Sequence, residues 1–381
     1  MRVSRAHFSL APAIVFRASY VLQAACHLLM SCFLPPSSAF PLFTHPHTRR
    51  AFLLAWPSPC VIMVCEHFRG PLKPSLIIHG GAWNIPDGSV EDCRAGMQRA
   101  LEAGWKILSS GGAAIDAVTS AIVILEDDPT FDAGYGSHLN SDGHVQLDAI
   151  LMDGGSLKAG AVAAVEHIHN PIRLARSVLE HSEHMMLVSD GAEKFAEEHG
   201  IELCPPEDLI HERERIAWRR CLSDSHAAEH HLGHESGTVG AVALDEHGHL
   251  FAGTSTGGTC CKLPGRVGDS PLIGCGCYAD AEAGGVSCTG HGEGIMKIVM
   301  AKMATELLHD QRVLLSHRKK AGPLSLAQAV ADACVRKLAH RVHTSGGLIL
   351  LDRQGRPAAA FNTPRMAYGY VEESGKFRIA P

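Results

Sequence analysis

The chain has 381 residues, 46% of them hydrophobic and 19% charged, with 38 glycines and 20 prolines. That is enough apolar material for one large or two ordinary domains, and too much for a disordered or collagen-like chain. The formal net charge of −6 argues against a nucleic-acid surface, which needs clustered excess Lys and Arg.

Residues 1–65 differ in composition from everything after them. They hold no Asp or Glu but five arginines, Arg2, Arg5, Arg17, Arg49 and Arg50, so the body is more acidic than the chain as a whole. The apolar run from Tyr20 to Leu34 is short for a bilayer span and is interrupted by Gln23, His27 and Ser31. Three readings compete: an Arg-rich, acid-free transit peptide; a signal-peptide core; or residues outside the working protein, with Met63 as its start. No helix or strand period runs through 1–65, which is expected to be a disordered extension and is set aside from the fold. The compartment follows from that choice, cytoplasmic without a targeting segment and mitochondrial with one. The thirteen cysteines lack the short, regular spacing of a zinc site or a small disulfide framework, which points to a reducing compartment. Cys260, Cys261, Cys275 and Cys277 read as small buried hydrophobes.

From Ser75 the pattern becomes orderly. Leu76, Ile77 and Ile78 form a buried-strand run that stops at His79-Gly80-Gly81. Ser89, with Asp92 three residues later, looks like a capping box, and Met97, Leu101, Trp105 and Leu108 then fall at helical spacing until Gly111-Gly112. A second helix puts Ala114, Ala117, Val118, Ala121, Ile122 and Leu125 on one face. Further helices are predicted near 171–182, with Asn170 as cap and Pro171 first, and near 190–200, 292–308 and 325–340. Asp/Asn-and-Gly turns at Asn140–Gly143, Asp245–Gly248 and Asp352–Gly355 announce β-hairpins. Helices grouped around hairpins, rather than strict β-α alternation, predict a layered α+β sandwich with mainly antiparallel strands and not a Rossmann-type sheet.

Residues 202–236 are charged, histidine-dense and without apolar periodicity, and read as a mobile surface linker. His226, His230 and His234 recur every four residues, but Gly233 and the missing apolar face favour a solvated segment over a metal site.

Immediately after that linker comes Ser236-Gly237-Thr238-Val239-Gly240, a threonine opening a strand. Thr256 follows within Thr254-Ser255-Thr256-Gly257-Gly258, then Gly265-Arg266-Val267-Gly268-Asp269, Tyr278-Ala279-Asp280 and Thr289-Gly290-His291-Gly292-Glu293. Loops of small hydroxyls and glycines with one cation and a few carboxylates suit a small-molecule site. With His79-Gly80-Gly81-Ala82, Leu147-Asp148-Ala149, Met152-Asp153-Gly154, Lys158–Val162 and Asn362-Thr363, the chain from Ser75 onward resembles the plant-type L-asparaginase / isoaspartyl peptidase family of N-terminal nucleophile hydrolases. Gly237, Gly257-Gly258 and His291-Gly292-Glu293 stand where the glycosylasparaginase relative usually has Asp, Asn and Asn-Gly-Asp, which favours the asparaginase branch.

The resemblance implies a four-layer αββα sandwich of Ntn-hydrolase type that cleaves itself at Gly237–Thr238. Residues 75–237 would then form an α chain and 238–381 a β chain. A threonine hydroxyl needs a base beside it; the cut supplies one, because the freed α-amine of Thr238, near pKa ~8 in peptides, sits on the same residue. The family correspondence assigns Thr256 to tuning Thr238, Arg266 to the substrate α-carboxylate, Asp269 to its α-ammonium, Thr289 and Gly290 to the oxyanion, and Gly292 to a carbonyl contact with the ammonium. Substrates would be L-asparagine and β-aspartyl dipeptides, hydrolysed through a β-aspartyl-Thr238 ester. No cofactor is required for the chemistry, while a loop with Leu125, Glu126, Asp128, Phe131, Ala133 and Tyr135 resembles the family's main-chain Na⁺ or K⁺ site. Asp132 stands there in place of the usual asparagine and, once ionised, has no proton to donate. His79 reads as a strand-end histidine without a catalytic part. The resemblance further implies a dimer of αβ units with no membrane and no nucleic-acid partner. The rivals are a glycosylasparaginase and a catalytically degenerate binding protein of the same fold.

Overall fold

The computed structural model describes residues 50–55, 61–66, 72–223, 237–310 and 325–381. The chain divides into two units, 1–71 and 72–381. In the first, strands β1 (Arg50–Ala55) and β2 (Val61–Glu66) pair antiparallel, Arg50 opposite Glu66 and Ala55 opposite Val61. They lie mostly within a segment where the sequence period predicts no element at all.

The second unit opens with β3 (Ser75–Trp83). The strand does not stop at His79: antiparallel pairing with a later strand carries it through the glycines to Trp83. Helices α1 (Val90–Ser109) and α2 (Ala114–Glu126) follow. Ser89 ends a single 3₁₀ turn and makes no side-chain capping bond, so the predicted capping box is absent. Then come β4 (Leu147–Asp153), β5 (Ala159–Val165), α3 (Pro171–His181), β6 (Met186–Val188) and α4 (Ser189–Glu198). Asn170 spends its amide on Asp127 rather than on a cap.

The supposed linker departs most from expectation. A 3₁₀ turn at Pro206–Leu209 and α5 (Glu212–Ser223) are ordered, with Leu209 and Glu214 buried. Burial of a few anchoring side chains, not an apolar stripe, holds α5 in place, and so periodicity misses it. The His226, His230 and His234 series lies outside the described residues.

Beyond it lie β7 (Val239–Leu244), β8 (Leu250–Thr256), β9 (Cys277–Asp280) and β10 (Gly284–Gly290). The predicted helix at 292–308 is two, α6 (Gly292–Ile298) and α7 (Met300–His309), broken where Val299 adopts φ +49°. Helix α8 (Leu326–Lys337), β11 (Gly346–Asp352), β12 (Pro357–Phe361), β13 (Arg365–Val371) and β14 (Phe377–Ala380) complete the chain.

Eight strands form one sheet in the order β14-β13-β3-β7-β8-β4-β5-β6 and four form a second, β12-β11-β10-β9. Among these strands the pairing is antiparallel except for β5 with β6. Alternation along the strands divides the layers. Ile77, Val242 and Leu244 face Ile349 and Leu351 between the sheets, while Ile78, Ala241 and Ala243 face α1 and α2. Leu348 and Leu350 pack on α7 and α8. The result is the four-layer αββα sandwich expected. Among the described residues no helix is long and apolar enough to cross a membrane.

Candidate active site

Thr238 stands one residue before β7, and Val239 pairs with Ser255 of β8, so antiparallel register sets the head of β7 beside the tail of β8. The Thr238 hydroxyl lies 3.0 Å from that of Thr256, which also accepts the Gly258 N–H at 3.0 Å. Both threonines are buried. The small sheet lies directly beneath. A Cβ at Gly285 would meet Val242, and one at Gly240 would collide with Ser287 Oγ and His79 Nε2. This is close backbone approach of the kind that only glycine permits. Continuing the two-residue step places Thr289 across from Thr238, and the Ala82 N–H reaches Thr289 Oγ1 at 3.3 Å. A hydroxyl that accepts from Ala82 keeps its own proton to donate. Gly290, at φ +125°, turns the chain where a side chain would run into Gly346.

Under Thr238 runs a buried polar chain: His79 Nε2 to Ser287 Oγ at 2.8 Å, Ser287 to Thr254 Oγ1 at 2.7 Å, and Thr254 to the Gly276 carbonyl. Burial pushes the His79 pKa down to about 3, against a weaker opposing contact with the Thr238 backbone. The ring is therefore neutral at physiological pH and serves as a positioner in mid-strand.

Arg266, Asp269 and Gly292 do meet. A Cβ on Gly292 would sit 3.0 Å from both Arg266 Nη2 and Asp269 Oδ1. The Arg266 fork is engaged by Glu293, Nε and Nη2 each 2.9 Å from a carboxylate oxygen. Burial drives the Asp269 pKa up to about 7, with Arg266 working the other way, and its Oδ2 has no hydrogen-bond partner among the described residues. An unpartnered buried carboxylate oxygen is open to a cationic ligand.

Asp132 abuts the other side of the Gly237–Thr238 bond; a Cβ on Gly237 would lie 3.0 Å from that of Asp132. Its Oδ1 accepts the His138 N–H at 2.9 Å and its carbonyl the Gly257 N–H, while Oδ2 is buried without a hydrogen-bond partner among the described residues. Burial raises its pKa. Gly237, Asp132, His138, Arg213 and Glu214 share the wall of a cavity of about 630 Å³. Burial works to raise the Glu214 pKa, but His138 and Arg213 hold it down at about 2.

Sequence reasoning overlooked His138, Glu214 and Lys262. Lys262 is buried, with Nζ on the Gln146 carbonyl at 2.7 Å. Burial lowers its pKa while Asp148 and Asp132 oppose the shift. A lysine in the loop between Thr256 and Arg266 was the available signal; nothing short of the fold pairs His138 with Glu214, 76 residues apart.

The loop after α2 closes on itself through Tyr135 N–H to Glu126 O and Phe131 N–H to Asp128 O. The carbonyls of Phe131, Ala133 and Tyr135 accept no hydrogen bond from the described residues. The Glu126 side chain instead accepts from Ser255 and Ile172, and burial pushes its pKa up to about 8.

A family model described as asparaginase matches residues 72–380. The chain is 42% identical to the isoaspartyl peptidase/L-asparaginase of Xenopus laevis over 303 residues, 79% of this chain and 93% of the relative. It is 41% identical over 303 residues to the Homo sapiens protein of that name, covering 79% of this chain and 94% of that one. Identity to the Danio rerio protein so named is 40%, again over 303 residues, 79% and 93% of the two chains.

Proposed function

The chain belongs to the asparaginase family, and on that premise we propose that it is a threonine hydrolase which matures by cutting its own Gly237–Thr238 bond. It then hydrolyses the side-chain amide of L-asparagine and the β-peptide bond of isoaspartyl dipeptides. The observation that carries this reading is the buried Thr238 hydroxyl, set against Thr256 directly after a glycine.

In maturation Thr238 Oγ attacks the Gly237 carbonyl carbon. The C–N bond breaks, the nitrogen takes the hydroxyl proton and becomes the α-amine, and water hydrolyses the resulting ester. The same hydroxyl, with that amine as its base, then attacks the substrate amide carbon. Thr256 orients Oγ by accepting its hydrogen bond. The Thr289 hydroxyl and the Gly290 N–H stabilise the oxyanion, a role commonly worth ~3–4 kcal/mol for a single donor. The amine's proton passes to the leaving ammonia or amino acid, and water releases aspartate from the ester.

Arg266 grips the substrate α-carboxylate in a bidentate fork, with Glu293 as its resting partner. Asp269 Oδ2 and the Gly292 carbonyl hold the α-ammonium. This pair of contacts demands a free amino acid end. A monovalent cation, Na⁺ or K⁺, fits the Leu125, Glu126, Asp128, Phe131, Ala133 and Tyr135 loop, where the carbonyls of Phe131, Ala133 and Tyr135, unengaged by the described residues, are donors such an ion takes; it would stiffen the loop that carries Asp132. The family points further to a dimer of αβ units and, without a targeting segment, to the cytoplasm.

Intact-mass analysis of purified active protein tests the reading. A fragment beginning at Thr238 is expected, and only full-length chain in active enzyme would refute maturation. Turnover of isoaspartyl dipeptides and L-asparagine, but not of glycosylated asparagine, is expected; the reverse preference would make it a glycosylasparaginase.

A further inference from the structure

Three cysteines take no part in this chemistry and stand together. Cys221 lies in the last turn of α5, and Cys260 and Cys261 follow β8; their sulfurs all lie within 4.8 Å of one another. Cys221 and Cys261 are joined in the structure, with Cα atoms 6.6 Å apart, inside the span that a bridge requires. Cys261, only partly buried, does not fit the expectation of a small buried hydrophobe, unlike Cys277, which packs between the sheets. The turn that carries Cys261 is anchored on its own account. Cys261 N–H bonds to the Leu139 carbonyl and the Lys262 carbonyl accepts from Ser141. α5 is held by the His138–Glu214 pair and by Trp218, which covers Gly143. The two sulfurs are thus brought together by elements that are each fixed elsewhere.

Their places in the chain give the bridge its meaning. Cys221 precedes Gly237 and Cys261 follows Thr238, 40 residues apart, so the pair straddles the bond that maturation cuts. We propose that Cys221 and Cys261 form a disulfide that covalently joins the α and β chains of the mature enzyme. The inference rests on the cleavage reading above for its two chains, though the bridge itself does not. Against the reducing compartment expected from the cysteine spacing, it forms wherever the thiol pool is oxidised enough, by exchange with a small-molecule disulfide such as oxidised glutathione. The thiolate of one cysteine displaces one thiol to give a mixed disulfide, and the second displaces the other. Two cysteine thiols are oxidised, one small disulfide is reduced to two thiols, and the protons pass to the released thiolates. Cys261 and neighbouring Cys260 are only partly buried, so a small disulfide can reach them. Once formed, the bridge keeps α5, and with it the Arg213 and Glu214 wall of the cavity at Gly237, attached to the β chain after the cut.

One digest reads both events. No lysine or arginine lies between Arg220 and Lys262. Trypsin therefore leaves Cys221–Lys262 as one peptide in uncut chain, and as Cys221–Gly237 plus Thr238–Lys262 in cut chain. Purified full-length protein, equilibrated with oxidised glutathione and alkylated without reductant, is expected to yield the latter two as one cross-linked species that separates on reduction. A non-reducing gel should show a single band, resolving into two with dithiothreitol. Cys221→Ser should give two bands without reductant, and Cys260→Ser should still give one. Full alkylation of Cys221 and Cys261 under these conditions overturns the proposal. So does stoichiometric zinc or copper by elemental analysis with all three thiols free, which would make the cluster a metal site. If instead the single peptide Cys221–Lys262 appears two hydrogens lighter than its reduced form, the bridge stands, and it is the cleavage reading that fails.

Discussion

Thr238 and Gly237 share one peptide bond and occupy opposite kinds of surroundings. Beneath Thr238 runs a neutral, packed chain: hydroxyls of Thr238, Thr256, Thr254 and Ser287, and a His79 ring that burial keeps uncharged. On the Gly237 side stand Asp132, His138, Arg213 and Glu214 around a cavity, brought there by a loop and by α5. The difference is dielectric. Between two close-packed sheets a neutral hydroxyl chain satisfies itself cheaply, whereas a charge is costly unless paired. The geometry around Thr238 is therefore set by strand register and is insensitive to pH. The surroundings of the proposed cleavage bond are set by titratable groups, and should respond to pH.

The largest effect sought by breaking this contrast is on the neutral side. Thr238→Ala should abolish self-cleavage and lower amide hydrolysis by about 10³-fold or more, as nucleophile deletions do; an uncut chain with undiminished ammonia release would end the account. Next, Arg266→Ala is expected to lower kcat/KM by about 10²-fold through loss of the bidentate pair, while a gel shows the chain still cut. Failure of cleavage would make the arginine a structural member instead.

A third test uses protons. Asp269 titrates at about 7 and binds ammonium only when ionised, so below that pH kcat/KM of the mature enzyme should lose about tenfold per unit from this group alone. The protonated Thr238 amine adds a second such loss. Asp269→Asn should therefore reduce the acid limb from a slope of about two to about one; an unchanged slope would remove Asp269 from the site. The smallest effect is on the charged side. Below its raised pKa Asp132, packed against Gly237, carries a proton to donate toward the bond; above it, the ionised group does not. Maturation should slow severalfold as pH rises through that value, and Asp132→Asn, a donor at any pH, should give a flat profile by timed gel analysis. A wild-type rate that climbs with pH over the same range would assign Asp132 no such role.

The strand pattern and the Asp/Gly hairpin turns were legible because alternation and turn chemistry are local. Thr238, Thr256, Arg266, Asp269, Thr289 and Gly290 could be picked out by their shared motifs. The ordered α5 was not, because three or four anchoring side chains hold it without any periodic signal. The missed capping box at Ser89 and the continuation of β3 past His79 show neighbours overriding local preference: a single 3₁₀ turn in one case, pairing with β13 in the other.

From residues alone came the layered class, the candidate nucleophile and the polar groups around it, since periodicity and motif order are written along one dimension. Only the folded chain decided that Glu293 engages Arg266, that Asp269 keeps an unsatisfied oxygen, that His138 answers Glu214 and that Cys221 meets Cys261. Each depends on which distant segments share a low-dielectric interior, and burial exists only once the layers have closed.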